Sequence, residues 1–145
     1  MSFKKIMTSL RERKFSPLYF FDGDEPFFID KLTEFISENV LNDAEKEFNQ
    51  TVMYGRDIAP EDLSPIVKRF PMMSEYQVVI VKEAQSWKSI EAIAALAENP
   101  TPTTILVITY KGKKIDGRSS AGKTIKKHGV YFNSSKLREN EVTHW

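Results

Sequence analysis

Cysteine is absent from this sequence of 145 residues, and there are only two histidines. Without cysteine the chain can form no disulfide bond, thiol nucleophile or cysteine-based zinc site. His128 and His144 lie too far apart in sequence to form a metal-ligand pair, and neither has an obvious serine-and-carboxylate pattern. The sequence therefore predicts no catalytic residues, no metal and no cofactor, and it is compatible with a reducing cytoplasm.

Long hydrophobic runs are missing as well. No apolar segment approaches the roughly 18 residues that suggest a membrane span, so no membrane partner is expected. The N-terminus is basic and amphipathic but lacks the apolar region of a secretory signal. A transit peptide is one alternative, but we expect a first helix that packs on a cytoplasmic domain through one apolar stripe: Phe3, Ile6, Met7 and Leu10.

Strong charge of one sign is the third absence, since the formal net charge is only +1. Any electrostatic partner must therefore be served by a local patch. The length suits one ordinary domain, and a hydrophobic fraction of 41% can build its core. We expect residues 1–140 to form that domain and residues 141–145 to begin a linker to a further domain absent from this chain.

Short apolar segments alternate with segments of helical periodicity. A continuous β-branched run such as Val78–Val81 is typical of a strand that is covered on both faces. The alternation predicts an α/β fold of three layers, α/β/α, with a mostly parallel sheet. We predict strands near 18–21, 48–54, 78–81, 104–108 and 130–132, and helices over 25–41, from Pro60 to before Phe70, from Ser86 through Glu98, and within 111–127.

Asp22, Asp24 and Glu25 form an acidic group after the first predicted strand. Such a group could bind a divalent ion, but its spacing matches no calcium loop. Helix capping, which would account for both Asp24 and Glu25, is the alternative interpretation; Asp24 could be the cap, with Pro26 in the first turn.

Residues 117–124 match the pattern G-x-x-x-x-G-K-[ST] of a phosphate-binding loop. In such a loop Lys123 would reach the terminal phosphates and Thr124 would hold Mg²⁺. Lys111–Asp116 separates the motif from its preceding strand, however, whereas a phosphate-binding loop follows its strand directly. A nucleotide-binding domain that uses Gly117–Thr124 is thus an alternative function, and coincidence is the other interpretation.

The C-terminal third is locally basic, with Asp116 as the only acid among its cations. These cations could contact phosphates, with Tyr110 and Tyr131 nearby, so a basic DNA-binding domain is a second alternative function. A solvated helix face is the other interpretation. The residues concerned are Lys111, Lys113, Lys114, Arg118, Lys123, Lys126, Lys127, Lys136 and Arg138.

Two adjacent methionines precede the strongest strand, in the segment Phe70–Tyr76. Pro71 suits the first turn of a helix, so this segment could form one short turn that presents Met72 and Met73. Adjacent helical positions lie ~100° apart, so at least one methionine should point outward. A flexible, polarizable methionine suits a partner's pocket, and two buried gap-filling side chains are the alternative.

Five landmarks together resemble the delta subunit of the bacterial DNA polymerase III clamp loader, in that family's order and over about residues 3–138. The resemblance implies a RecA-like AAA+ core that has lost its ATPase function. The phosphate-loop slot, Gly23–Lys31, lacks the Gly-Lys-Thr ending, and Lys82-Glu83 stands where an ATPase carries Asp-Glu. The landmarks are Pro17–Ile29, Glu47–Asn49, Phe70–Val81, Asn99–Ile108 and Lys114–Arg118.

The same resemblance implies a non-catalytic domain of the polymerase holoenzyme that grips the ring-shaped sliding clamp and helps to open it. The family inserts a hydrophobic pair, here Met72 and Met73, into a pocket on the clamp, flanked here by Phe70 and Pro71. It also implies contact with other loader subunits through C-terminal domains absent from this chain, indirect contact with DNA, and a monomeric fragment.

Overall fold

A computed structural model describes residues 1–135, which contain five strands and six α-helices. The strands are β1 (Leu18–Gly23), β2 (Gln50–Tyr54), β3 (Gln77–Lys82), β4 (Thr104–Lys111) and β5 (Val130–Asn133). The helices are α1 (Phe3–Arg11), α2 (Pro26–Asn39), α3 (Asp43–Asn49), α4 (Leu63–Val67), α5 (Glu91–Glu98) and α6 (Ser120–His128). Short 3₁₀ turns cover Gly55–Asp57, Pro60–Asp62 and Ala84–Ser86.

The five strands form one sheet in the order β2-β3-β4-β1-β5, and all of the pairings are parallel. In the register, Phe20 lies between Ile108 of β4 and Tyr131 of β5. Because the strands run the same way, their first residues meet at one edge of the sheet and their last residues at the other. We call these the amino edge and the carboxyl edge.

Helices cover both faces of the sheet, which confirms the predicted three-layer α/β/α fold. Successive strand residues point to opposite faces, so each strand contributes to two cores. One core joins α1 and α2 to Tyr19, Phe21, Val78, Ile80, Ile105 and Val107. The other joins α4, α5 and α6 to Leu18, Phe20, Val79, Val81, Leu106 and Ile108.

The predicted helix from Ser86 is wrong at its start, since α5 begins only at Glu91. Ser86 instead ends a 3₁₀ turn, and the following Trp87 has extended backbone. The indole N–H of Trp87 donates to the carbonyl oxygens of Gly55 and Ile58, both at 2.9 Å. These bonds hold the buried Trp87 side chain against an earlier loop, so the helix begins later in the chain than predicted.

Two further corrections concern helix starts. The cap of α2 is Glu25 rather than Asp24, because the Glu25 carboxylate accepts from the Phe27 N–H at 3.2 Å. Helix α3 was not predicted, and the strand expected from residue 48 begins at Gln50. Asn42 and Glu45 form a capping box at the start of α3, a local signal that the sequence does contain.

The predicted linker over 141–145 lies outside the described residues, as do Lys136, Arg138 and His144. Within residues 1–135, no helix is both long enough and apolar enough to cross a membrane.

Candidate functional site

The loop between α4 and β3 lies at the amino edge of the sheet and carries the two most exposed large hydrophobic side chains of residues 1–135, Met73 and Phe70. Met73 is 101% exposed, Phe70 87% and Met72 61%, whereas Pro71 is half-buried. The prediction that at least one methionine points outward is confirmed, and the alternative of two buried side chains is wrong. We call residues 70–73 the methionine knob.

The knob is not a helical turn, so the expected helix after Pro71 is wrong. Residues 72–75 form bends, and Met73 has a φ of 54°, in the left-handed region that few residues other than glycine adopt. The backbone N–H of Met72 donates to the Asn49 side chain rather than to a helix carbonyl. The chain therefore reverses at Met73 and projects this side chain into solvent.

Two buried amide side chains hold this loop at either end. Asn49, the last residue of α3, accepts from the Met72 N–H at 2.6 Å and donates to the Met72 carbonyl at 2.9 Å. Gln77, the first residue of β3, donates to the carbonyl oxygens of the residues before the knob. Sequence reasoning assigned neither residue a role, although Asn49 closes the landmark Glu47–Asn49 and Gln77 lies within the landmark Phe70–Val81.

At the opposite, carboxyl edge the phosphate-loop slot is filled by the protein's own backbone. The Gly23 N–H donates to the Lys113 carbonyl at 3.0 Å, and the Glu25 N–H donates to the Ser134 carbonyl at 3.2 Å. Gly23 has a φ of 123°, and a Cβ there would collide with the Ser134 backbone. A phosphate would have to displace these carbonyls, because backbone N–H groups are what such a loop offers to it.

The slot of the ATPase acidic pair is likewise occupied by an internal ion pair. The Lys111 ammonium lies 2.7 Å from Asp30 Oδ1 and 3.3 Å from Glu83 Oε2, beside a cavity of about 290 Å³. A hydrogen bond from Gln85, and then Lys111, lower the pKa of Glu83. The Lys111 ammonium thus pairs with Glu83, one of the two residues that the family resemblance places at the ATPase acidic pair, and the other, Lys82, is a cation.

The acidic group at the end of β1 has its members in different surroundings. Asp22 is fully buried and accepts hydrogen bonds from the Ile115 N–H, the Tyr131 hydroxyl and the Asn133 amide, at 2.8–2.9 Å. Burial raises the pKa of Asp22, and these donors oppose that shift. Glu25 caps α2 instead, and no three potential ligands among residues 1–135 are placed to hold a metal.

The Gly117–Thr124 motif spans a loop and the first turn of α6 rather than a strand-to-helix cradle. Ser119 caps α6, accepting from the Gly122 N–H through its side chain and from the Lys123 N–H through its carbonyl, both at 3.0 Å. The Thr124 hydroxyl donates to the Ser120 carbonyl inside the helix. The two N–H groups and the Thr124 hydroxyl are thus engaged in capping and helix bonds, whereas the Lys123 side chain is exposed.

The basic residues within 1–135 differ in their surroundings. Lys111 is drawn into the carboxyl edge by Asp30 and Glu83, and Lys126 lies 4.7 Å from the centre of the Tyr131 ring. Lys123 and Lys127 are exposed on α6. Contact with phosphates and a solvated helix face therefore both stay predictions.

Comparison with known proteins identifies relatives over the described domain. A chain from Bacillus subtilis titled DNA clamp loader delta protein superposes with a TM-score of 0.85 at 23% identity, covering 99% of this chain and 45% of that one. A gamma subunit-related protein of DNA polymerase III from Thermotoga maritima superposes with a TM-score of 0.57 at 13% identity, covering 96% of this chain and 49% of that one. At these identities the two superpositions show a shared fold alone.

The sequence itself is 26% identical to DNA polymerase III subunit delta of Bacillus subtilis, over 95% of this chain and 43% of that protein. The chain thus spans less than half the length of its matched delta relatives. A family model described as DNA polymerase III, delta subunit, matches residues 19–135, well over half of the chain. The chain therefore belongs to the DNA polymerase III delta subunit family.

Proposed function

We propose that this domain is a non-catalytic module that binds the sliding clamp of bacterial DNA replication through the methionine knob. The observation that carries the proposal is the exposure of Met72 and Met73 together, on a loop whose backbone is fixed to its own domain. The Met73 side chain is not covered by its own domain. Its apolar surface is therefore removed from water only when a partner covers it.

Methionine is suited to this role because its unbranched thioether adapts to an apolar pocket. Phe70 adds an aromatic ring next to the pair, and aromatic side chains are enriched among the residues that dominate binding energies. The knob also lies at the amino edge, whereas the phosphate-loop slot lies at the carboxyl edge, so we expect clamp binding not to depend on a nucleotide in this domain.

Filling a pocket on the clamp does not by itself open a ring. A binding domain shifts an equilibrium only by its differential affinity for the two states. Ring opening therefore needs additional surface around the knob that fits the open clamp better than the closed one. Contacts with other loader subunits would come from parts of the delta subunit beyond this chain.

The test is the affinity of the 145-residue chain for its cognate clamp, measured by isothermal titration calorimetry. Met72→Ala combined with Met73→Ala should weaken binding by about 2–4 kcal/mol, or roughly 30- to 1,000-fold, because both anchoring side chains are truncated. Circular dichroism should be unchanged, since Met73 in particular has no cover to lose.

Phe27→Ala is a matched control, because Phe27 is an exposed apolar side chain on α2 at the other edge of the sheet. This variant should bind like the wild type. A folded double variant with wild-type clamp affinity would show that the knob is not the contact site.

A further inference from the structure

We infer that Asn49 is the positioning residue of the clamp-binding site, with α3 as a platform that holds the methionine knob in its exposed conformation. This inference rests on the proposed function, because it concerns how the same loop is presented to a partner. It assigns a role to a polar residue that is only 4% exposed.

The Asn49 side chain pairs with the Met72 backbone as a neighbouring strand would. Its Oδ1 accepts from the Met72 N–H at 2.6 Å, and its Nδ2 donates to the Met72 carbonyl at 2.9 Å. The same Nδ2 donates to the Glu45 carbonyl one turn earlier in α3, at 3.0 Å, which fixes the rotamer of Asn49. One side chain therefore binds both polar backbone groups of Met72 and ties them to the helix.

A local contact within the loop holds the other side of Met73. The Ser74 hydroxyl donates to the Tyr76 carbonyl at 2.9 Å. The same hydroxyl accepts from the Tyr76 N–H at 3.4 Å, so Ser74 binds both polar backbone groups of Tyr76 and stabilises the turn after Met73.

Met73 lies between these two anchors, and its left-handed backbone explains why both are needed. A methionine with a φ of 54° adopts a conformation that is uncommon for a side chain with a Cβ. Such a conformation persists only where its surroundings over-determine it. Releasing Met72 from Asn49 would let the loop leave this conformation, so that the partner would have to order it again on binding.

The first measurement is independent of any partner. Amide hydrogen exchange of the 145-residue chain should show a protected Met72 N–H even though its side chain is exposed, and Asn49→Ala should speed that exchange at least about tenfold. Asn39→Ala is the matched control, because the Asn39 amide makes the same bond to a carbonyl four residues earlier, in α2, and does not contact the loop. Unchanged Met72 exchange in Asn49→Ala would overturn the inference.

The second measurement is clamp affinity by isothermal titration calorimetry. Asn49→Ala should weaken binding about tenfold without a change in the Met72 and Met73 side chains, whereas Asn39→Ala should not. Ser74→Ala, at the surface of the loop, tests the second anchor in case Asn49→Ala fails to fold, and should weaken binding several-fold. Asn49→Asp keeps the acceptor for the Met72 N–H but loses both donated bonds, so its affinity should lie between those of the wild type and Asn49→Ala.

The outcomes separate this inference from the proposed function. If the wild-type chain does not bind the clamp, the proposed function fails, while the exchange measurement still decides whether Asn49 holds the loop. If the wild type binds and Asn49→Ala binds equally well with an unprotected Met72 amide, the positioning role is wrong and the proposed function stands.

Discussion

Asp22→Ala should destabilise the domain at its carboxyl edge, although the residue lies far from the methionine knob. The wild-type carboxylate accepts from three donors on two other segments, the Ile115 N–H, the Tyr131 hydroxyl and the Asn133 amide. These bonds tie the loop after β4 and the strand β5 to the end of β1. Alanine removes every acceptor at once and leaves the donors in place.

The magnitude follows from what each donor can do afterwards. Tyr131 and Asn133 are half-buried and can turn towards water, but the Ile115 N–H is buried and stays unpaired. One unpaired buried donor costs about 1–3 kcal/mol, and removing one partner of a buried charged network costs about 3–5 kcal/mol. We expect Asp22→Ala to lower the free energy of unfolding by about 3 kcal/mol.

Urea denaturation monitored by circular dichroism measures this loss, and hydrogen exchange at the Ile115 amide locates it. Asp24→Ala is the control, because Asp24 is the exposed acidic residue two positions on and should leave stability within about 0.5 kcal/mol of wild type. A loss below about 1 kcal/mol, or unchanged exchange at Ile115, would refute the reasoning.

The pH dependence gives an independent check on the same residue. Burial raises the pKa of Asp22 above its ordinary value, so the folded state favours the protonated acid. The contribution of Asp22 to stability is therefore full below its unfolded pKa, falls as pH rises from there through the folded pKa, and is constant above it. Asp22→Asn lacks this titration, so the stability of wild type minus that of Asp22→Asn should decrease across that window; an increase would contradict the assignment.

Two further predictions follow from the loop and from the filled nucleotide slots. Gln77→Leu removes the donor to the carbonyl oxygens of Ile66, Val67 and Arg69, and should cost about 2 kcal/mol in urea denaturation; a neutral effect would show that these bonds contribute nothing net. Millimolar Mg-ATP should leave the melting temperature of the chain unchanged, because backbone carbonyls occupy the N–H groups of the phosphate-loop slot. A ligand that bound only the folded state would instead add about 2.7 kcal/mol at 100 times its Kd. A rise in melting temperature that Lys123→Ala abolishes would instead support a nucleotide site in α6.

Local patterns in the sequence were sufficient for much of the fold. Continuous apolar runs such as Val78–Val81 mark strands covered on both faces, and their alternation with helical segments requires helices on both sides of a parallel sheet. The adjacency of Met72 and Met73 predicted that at least one side chain points outward, but that argument assumed a helical turn where the structure has bends, and it left two buried methionines as an alternative. The Lys82-Glu83 pair and the missing Gly-Lys-Thr ending of Gly23–Lys31 likewise marked the altered nucleotide slots through the family resemblance.

Only the tertiary structure decided which distant polar groups meet. Asn49 reaches Met72 across 23 positions, and Asp22 reaches Ile115 across 93, so no periodicity within a segment could report either pairing. The same holds for the late start of α5, which depends on Trp87 bonding to the Gly55 carbonyl. Hydrophobic periodicity is a property of neighbours in the chain, whereas these hydrogen bonds form only after packing has brought separate segments together. Among them, the bonds from Asn49 determine how the knob is held.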